Sequence, residues 1–588
     1  LQSNTANSMF ADGSSAGDYG IAAFRHLSNI RYMDGAAETQ TFTVTARALD
    51  WTSDSVTVYE TTAGEATTLK ALHGGDGPSF PTIPSLGETQ TLRGTDGSLL
   101  SRLTGLFTGE MAIANVKLDR ASIPTDGVWL GLFAQNEGTI RDLRLTSPGV
   151  SITAGEDGGN KKLAGAAAVA GKSTGTLSGV TVEGVRVAAD LSKSQNSANP
   201  LGVGGAVGVL DLSSGTGAAK DITVSGTVTG TLKSAGTSGG NGVGGIAGFA
   251  RLSDTTAVES CTNEAEVIGD RRAGGIVGCV NGAAPVDTAG HSADLVDCDN
   301  EGLVLSSADV SDADVDRGHY IGGVAGYAVD TVLEKCTSRS GQAQGYAYTV
   351  ADKDKLKGRY VGGILGYGSG SLVRDCATRS GGYVLGRDQV GGIVGGLVSS
   401  GSSLSDMIQS ISVTTNASYV IGYDYVGGIV GENRGESTIE RCVNTGVAAG
   451  YGKYIGGIVG ANVAVETMDG TTQIPTVKDC ASYVSDTSDK IYRMVLDWET
   501  VGDCAGGLSG YNSGRIQFRD EDGVITTRSV SGIVVGRNFV GGLVGFNDAG
   551  GAIDVAYTLL SGRVAASGDC VGGLIGLNAS EEMLGQSY

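Results

Sequence analysis

Four histidines, His26, His73, His291 and His319, are the only imidazoles in the 588 residues, and none stands in an HExxH or other metal-ligand spacing. That disfavours a zinc hydrolase. Asp312, Asp314 and Asp316 alternate ahead of Gly318, and carboxylates so spaced can gather around calcium. An EF-type loop wants its glycine one place earlier and a glutamate where Gly323 stands, so the stretch reads as a solvated acidic loop. Asp520-Glu521-Asp522 reads the same way. The glycine-rich segments do not make a phosphate loop, because no GxxxxGK[ST] occurs. Polysaccharide-cleaving enzymes display carboxylates along one face of a cleft, and no repeat position here collects such groups one above another.

Six of the nine cysteines, Cys261, Cys298, Cys336, Cys376, Cys442 and Cys480, each follow an apolar residue by three places, as Val258 precedes Cys261 and Ile439 precedes Cys442. Ile553 and Ala556 keep the spacing with alanine instead, so the position wants something small and apolar. Cys279 lies beside a glycine hexapeptide, and Cys504 and Cys570 each precede a Gly pair by two residues. With no CxxC and no nearby histidine, neither a disulfide framework nor a metal site is indicated. Reduced, buried thiols acting as small hydrophobes are expected. Tyr327, Tyr367 and Tyr511 directly follow hexapeptides at equal repeat positions; they either cap the edge of the core or stack on sugars.

These residues sit on a repeat. The hexapeptide V/I/A-G-G-x-x-G occurs eleven times, beginning at Val203, Val243, Ala273, Ile321, Val361, Val390, Val426, Ile455, Ala505, Val540 and Val571, with gaps of 29 to 50 residues. The core unit is therefore near 29 residues and the excess is loop. Each unit reads as three short strands: the hexapeptide, the apolar-x-x-Cys segment, and a short Val-rich stretch such as Thr445-Gly446-Val447. Stacked coils place like residues above one another at about 4.8 Å, which accounts for columns of Val, Gly, Cys and, in later copies, Asn433, Asn462, Asn512, Asn547 and Asn578. The expected fold is all-β: a right-handed parallel β-solenoid (β-helix) with three short strands per coil and a short N-terminal helical cap over Phe24–Ile30.

Two readings compete for the Gly pairs: a crowded corner, or room for a ligand. Recurrence in every unit favours the corner. Simple alternation along the hexapeptide puts Val426, Gly428 and Val430 on one side and Gly427, Ile429 and Gly431 on the other. A strand apolar on both faces is normally covered on both, so a flat Gly/Ile stripe is expected to be an association surface or to be covered by the chain's own inserts.

The composition sets the outer bounds. Glycine makes up 98 residues, but proline only 8, and 40% of the chain is apolar; this is neither collagen nor a disordered linker. The net charge of −22 repels phosphate backbones and anionic lipid, so no nucleic-acid partner and no direct membrane insertion are expected. No run of about 18 apolar residues occurs. The chain starts without Met or an apolar leader and is expected to be a processed product or a piece of something longer. The expected organisation is an N-terminal cap and lead-in segment over 1–125, degenerate rungs over 126–200 and repeats over 201–588. The largest polar inserts fall at about 306 to 320, 346 to 358, 462 to 476 and 482 to 503.

Val426 to Gly431 followed by Ile439 to Cys442 resembles the GLUG-type repeat of bacterial surface proteins, and the match covers residues 200 to 580. Phe24 to Ile30, Leu49-Asp50-Trp51 and Phe80-Pro81-Thr82-Ile83-Pro84 are similar to the leader that precedes such repeats in large cell-surface proteins of Gram-positive gut bacteria. The resemblance implies an extracellular β-solenoid, as in adhesins, surface filaments and the non-catalytic part of immunoglobulin A metalloproteases, with no catalytic residues in the repeat. The protease would need an HExxH domain, which this sequence lacks, and no sortase-type anchor is expected of this chain. The expected function is that of a non-enzymatic extracellular surface protein: adhesin, stalk or self-assembling filament subunit. The alternative is a carbohydrate-binding or polysaccharide-degrading β-helix. No catalytic, cofactor-binding or metal-binding residue is assigned, and no cofactor is expected. The expected partners are other protein chains, including copies of itself, or host and cell-surface glycans.

Overall fold

The computed structural model describes strands at 52–58, 69–73, 100–103, 106–114 and 117–119. From 128 to 581 it describes all residues but 153–161, 195, 197, 234–239, 284–292, 308–317, 340–355, 357, 399–408, 468, 484–501, 519–527 and 555–557. The helical cap expected over Phe24–Ile30 lies outside these residues, as do Leu49-Asp50-Trp51 and Phe80–Pro84. The described chain is all-β, and its repeats stack as a parallel β-solenoid. Sheet 1 has thirteen strands, from Trp129–Leu130 to Val571–Gly572, and sheet 2 has fourteen, from Leu100–Leu103 to Ile575–Asn578. Sheet 3 runs from Leu106–Ala114 to Thr558–Ala566. Antiparallel pairs occur only outside the coil, at Thr52–Val58 with Leu69–His73 and at Val465–Glu466 with Thr472–Gln473, among the described residues.

One coil shows how the sequence closes. Asp424–Gly427 lies in sheet 1, the chain turns at Gly428-Ile429, and Val430–Arg434 continues in sheet 2. Gly435, at φ 79°, turns the next corner into Ser437–Glu440 and Val443–Asn444 of sheet 3. Ala448–Gly450 then joins a small parallel sheet with Tyr383–Leu385 and Tyr419–Gly422. The hexapeptide is therefore two strands and the corner between them, which corrects its reading as one strand. Val426, Ile429 and Val430 are all fully buried, because the corner breaks the alternation. Ile429 and Val430 join the main core with Ile439 and Cys442. Val426 packs in a second column with Val390, Val420 and Ala448. The proposed Gly/Ile association stripe is thereby overturned: Ile429 and Ile458 are 0% exposed, inside the coil.

The three glycines of the hexapeptide have three separate reasons. A Cβ on Gly427 would overlap the Val430 carbonyl across the corner. One on Gly428 would overlap the Gly457 carbonyl of the next coil and the Asn444 amide. One on Gly431 would lie 2.5 Å from the Gly395 carbonyl and 2.6 Å from the Gln389 carbonyl carbon, where sheet 2 meets sheet 1 of the preceding coil. Backbones touch here with no side-chain layer between them. The crowded-corner reading of the Gly pairs is what the structure displays.

Stacking is what buries the apolar columns. Val540 is 0% exposed, while Val571, at the same hexapeptide position in the last described coil, is 51% exposed. At about 25 cal/mol per Å² of apolar surface, covering one such valine contributes about 1 to 2 kcal/mol.

Two columns of non-glycine residues adopt positive φ. One precedes the buried cysteine position, at Ser260, Asp297, Lys335, Asp375, Val413, Arg441 and Asp479. The other precedes the hexapeptide, at Arg272, Tyr320, Tyr360, Gln389, Tyr425, Tyr454, Cys504, Phe539 and Cys570. Each left-handed residue kinks the chain and lets a flat coil close, at a cost of about 1 kcal/mol. Val413 is the one β-branched member, at φ 52° and 49% exposed. Val413→Asn is expected to stabilise the fold by about 1 kcal/mol, read as a rise in the denaturant midpoint. Gly428→Ala is expected to destabilise it by about 3 kcal/mol in the same assay, because neither obstructing group can move without its coil.

Candidate functional site

The residue types that carry chemistry in other proteins are arranged here as inter-coil ladders. The six repeat-position cysteines are buried, with each Sγ directed at the carbonyl two residues earlier, as for Cys442 to Glu440 at 3.3 Å. Where the ladder passes between Cys376 and Cys442, Thr414 takes the position and its Oγ1 lies 3.3 Å from Cys442 Sγ. All nine cysteines are free, and Cys570 is the one exposed member. Burial pushes the Cys504 thiol up to about 11 and raises that of Cys480 as well, so neither forms a nucleophilic thiolate at neutral pH.

The expected asparagine column is an unbroken amide ladder. Asn433 Nδ2 donates to Asn462 Oδ1 at 2.8 Å, Asn462 to Asn512 at 2.9 Å, Asn512 to Asn547 at 2.8 Å and Asn547 to Asn578 at 2.8 Å. A second polar ladder, not anticipated, stands two residues after the cysteine position. Asn263 donates to Asn300 at 2.8 Å, Thr378 to Asn416 at 2.5 Å and Asn416 to Asn444 at 2.8 Å, with Ser338 and Ser482 as further members. Its signal was present in the sequence as Cys-x-Asn/Ser/Thr. These side chains lie against the second glycine of each pair and satisfy one another inside the coil.

The third array is aromatic, and it is the best candidate for a site. The left-handed position of sheet 1 faces the third position of the sheet 2 strands. Tyr320 stacks on Tyr360 with ring centroids 5.5 Å apart, Tyr327 stacks on Tyr367 at 5.2 Å, and the two pairs meet edge to face. Arg272 lies over Tyr327 at 4.7 Å. Burial pushes the Tyr360 hydroxyl up to about 12 and raises that of Tyr367 too. These tyrosines close the core edge, and their faces are occupied by one another. Farther on, Tyr425, Tyr454 and Tyr511 form a looser, tilted series.

Between these two groups lies a polar node. Gly396 leaves the space above Tyr367 empty of a side chain, Tyr360 lies over it, and the next rung carries Glu432, only 6% exposed. Arg359 Nε donates to Gln389 Oε1 at 2.9 Å, and Gln389 Nε2 donates to Glu432 Oε2 at 3.4 Å. Arg434 is 3.9 Å from the other carboxylate oxygen. Burial raises the Glu432 carboxyl above the usual glutamate range, against the lowering by Arg434, Arg359 and Gln389. Its chemistry is that of a single carboxyl group held near an aromatic wall. No second carboxylate faces it in the hydrogen-bonded node.

The residues singled out in the sequence are scattered. His319 is buried at the edge of the aromatic array, edge-on to Tyr320 at 5.6 Å and to Tyr360 at 6.3 Å. His73 ends the strand Leu69–His73. His26, His291, Asp312, Asp314, Asp316 and Asp520 to Asp522 lie outside the described residues. Among the described residues no three His, Cys, Asp or Glu side chains gather as a metal site. No family model matches the chain, and neither a curated protein nor a solved structure matches it.

Two outcomes follow from the ladders. A native-state thiol titration is expected to give one rapidly reacting equivalent, Cys570, with the other eight appearing only on unfolding. For Glu432 the raised folded-state value means that the folded protein holds this proton more tightly than the unfolded chain. The cost of ionisation is fully present above the folded value and vanishes below the unfolded value of about 4.3. Glu432→Gln is therefore expected to be more stable than the parent at pH 7, with the difference gone at about pH 4 in parallel denaturant titrations.

Proposed function

We propose that this chain is a non-enzymatic, elongated scaffold displayed outside a bacterial cell, as adhesin, stalk or self-assembling surface subunit, in keeping with its likeness to GLUG-type repeats. The observation that supports the reading is the employment of the chemically capable side chains. Among the described residues, repeat-position cysteines, the ladder asparagines and the stacked tyrosines are engaged with the neighbouring coil rather than with an open cleft. A rod lengthening by about 4.8 Å per coil carries whatever its inserts present away from its base. Variation in the sequence concentrates in the polar inserts, so recognition of a protein or glycan partner belongs there.

The alternative, a carbohydrate-binding or polysaccharide-degrading β-helix, draws on Tyr425, Tyr454 and Tyr511, which are half-buried and not stacked face to face. The two readings separate by substitution. Replacing residues 308–317 and 346–355 by short Gly-Ser linkers is expected to leave the circular dichroism spectrum unchanged and to abolish adhesion to host cells or glycan arrays. Tyr454→Ala is expected to leave adhesion intact. Retention of binding in the linker variants with loss in Tyr454→Ala would move recognition to the aromatic edge and overturn the preferred reading.

A further inference from the structure

Register, rather than spacing along the chain, brings the repeat-position cysteines together. Thr262 pairs with Asp299, Asp299 with Thr337 and Thr337 with Ala377, so Cys261, Cys298, Cys336 and Cys376 stand at one position of four successive coils. Val443 pairs with Ala481, which sets Cys442 beside Cys480 in the same way. Thr414 takes the position in the coil between the two groups. The file is thereby cut into a run of four and a run of two, and each run divides into pairs from adjacent coils. For the other three cysteines the in-register neighbours are aromatic: Phe249 and Tyr327 for Cys279, Tyr454 and Phe539 for Cys504, and Phe539 for Cys570.

In-register residues of a parallel ladder have Cα atoms about 4.8 Å apart, inside the range of about 4.4 to 6.8 Å that a disulfide spans. The thiols of the file are also within hydrogen-bond reach of one another, Cys298 with both Cys261 and Cys336, Cys336 with Cys376, and Cys442 with Cys480. Each later member leans across the junction that a bond would bridge: Cys298 Sγ lies 3.4 Å from the Val258 carbonyl of the preceding coil, and Cys480 Sγ lies 3.5 Å from that of Ile439. Size alone does not select cysteine here, since Ala556 keeps the same spacing from Ile553. All six thiols are at most 1% exposed, so a reagent reaches them only before their coils are covered.

We infer that Cys261 with Cys298, Cys336 with Cys376, and Cys442 with Cys480 are the sites of three disulfide bonds that staple successive coils when the chain folds in the presence of a low-molecular-weight disulfide. The chemistry is two thiol–disulfide exchanges. The thiolate of one cysteine attacks a sulfur of the small disulfide and expels a thiolate, which takes up a proton. The thiol of the adjacent coil then loses its proton, attacks the mixed disulfide at the protein sulfur and displaces the second small thiolate. One S–S bond is consumed, one is made, and two small thiols leave. Covering by the next coil shields the new bond from reductant. Each bond closes a loop of roughly forty residues and removes that freedom from the unfolded chain. The inference is independent of the surface-display reading.

The test unfolds the full chain with reductant and refolds it in parallel with reduced glutathione alone and with glutathione disulfide added. Alkylation in denaturant and peptide mapping then count the cysteines outside intrachain bonds, whether alkylated or carrying glutathione. All nine are expected in the reduced material, and only Cys279, Cys504 and Cys570 in the oxidised, with linked peptides joining the three named pairs. The circular dichroism spectra are expected to coincide, and the oxidised chain is expected to unfold at a higher denaturant concentration. Cys442→Ala is expected to add Cys480 to the unbonded residues and to leave the other two bonds in place. If the chain aggregates on refolding, material exported to an oxidising periplasm is compared with cytoplasmic material by the same count. Nine unbonded cysteines in folded oxidised material, a predominant bond between Cys298 and Cys336, or bonds to Cys279, Cys504 or Cys570 would overturn the proposal.

Discussion

Two backbones meeting without a side-chain layer between them is the constraint on which the rest of this solenoid depends. At Gly427, Gly428 and Gly431 the positions of a missing Cβ are already occupied by carbonyl oxygens or backbone atoms of the same coil or its neighbours. Sheets 1 and 2 can therefore lie face to face at a distance no other residue type allows. The main core is displaced to the side, between the corner, sheet 2 and sheet 3, and Ile429, Val430, Ile439 and Cys442 fill it. The need for a small buried residue at the cysteine position, and for short polar side chains against the second glycine, follows from the same narrowness.

The flat coil imposes a second condition, which is a sharp change of direction at fixed places. Glycine serves at Gly435 and at other turns such as Gly370, but in the two repeat columns the left-handed conformation falls on residues with side chains, Asp, Arg, Tyr and Lys among them. Each costs some stability, offset by the pairing of its coil on both sides. At the sheet 1 column the same conformation turns Tyr320 and Tyr360 toward Tyr327 and Tyr367, so strain and aromatic stacking are parts of one arrangement.

The period of the fold was legible because it is written in residues that have no alternative. Eleven Gly pairs and the column of Asn433, Asn462, Asn512, Asn547 and Asn578 set the coil, and the amide ladder follows from their stacking. The path within the coil was less legible. Alternation assumes a straight strand, and the turn at Gly428-Ile429 invalidates it, which is why a buried Ile429 looked like a surface stripe. The second polar ladder escaped notice because it mixes Asn, Ser and Thr, three residues equivalent as donors and acceptors but not as letters. Glu432 had no sequence signal at all. Its burial depends on Gly396 one coil before it and Ala461 one coil after it, a relation across three coils.

The amide ladder also gives the molecule an electrical direction. In every link from Asn433 to Asn578 the earlier residue donates and the later one accepts, and Asn263 to Asn300 and Asn416 to Asn444 run the same way. Aligned amides of about 3.5 D each add rather than cancel, as they do along a helix axis. A parallel solenoid whose backbone dipoles oppose one another in adjacent links thus acquires a net axial polarity from its side chains. Its two ends are electrostatically distinct, and coils joined along this axis extend the ladder only head to tail.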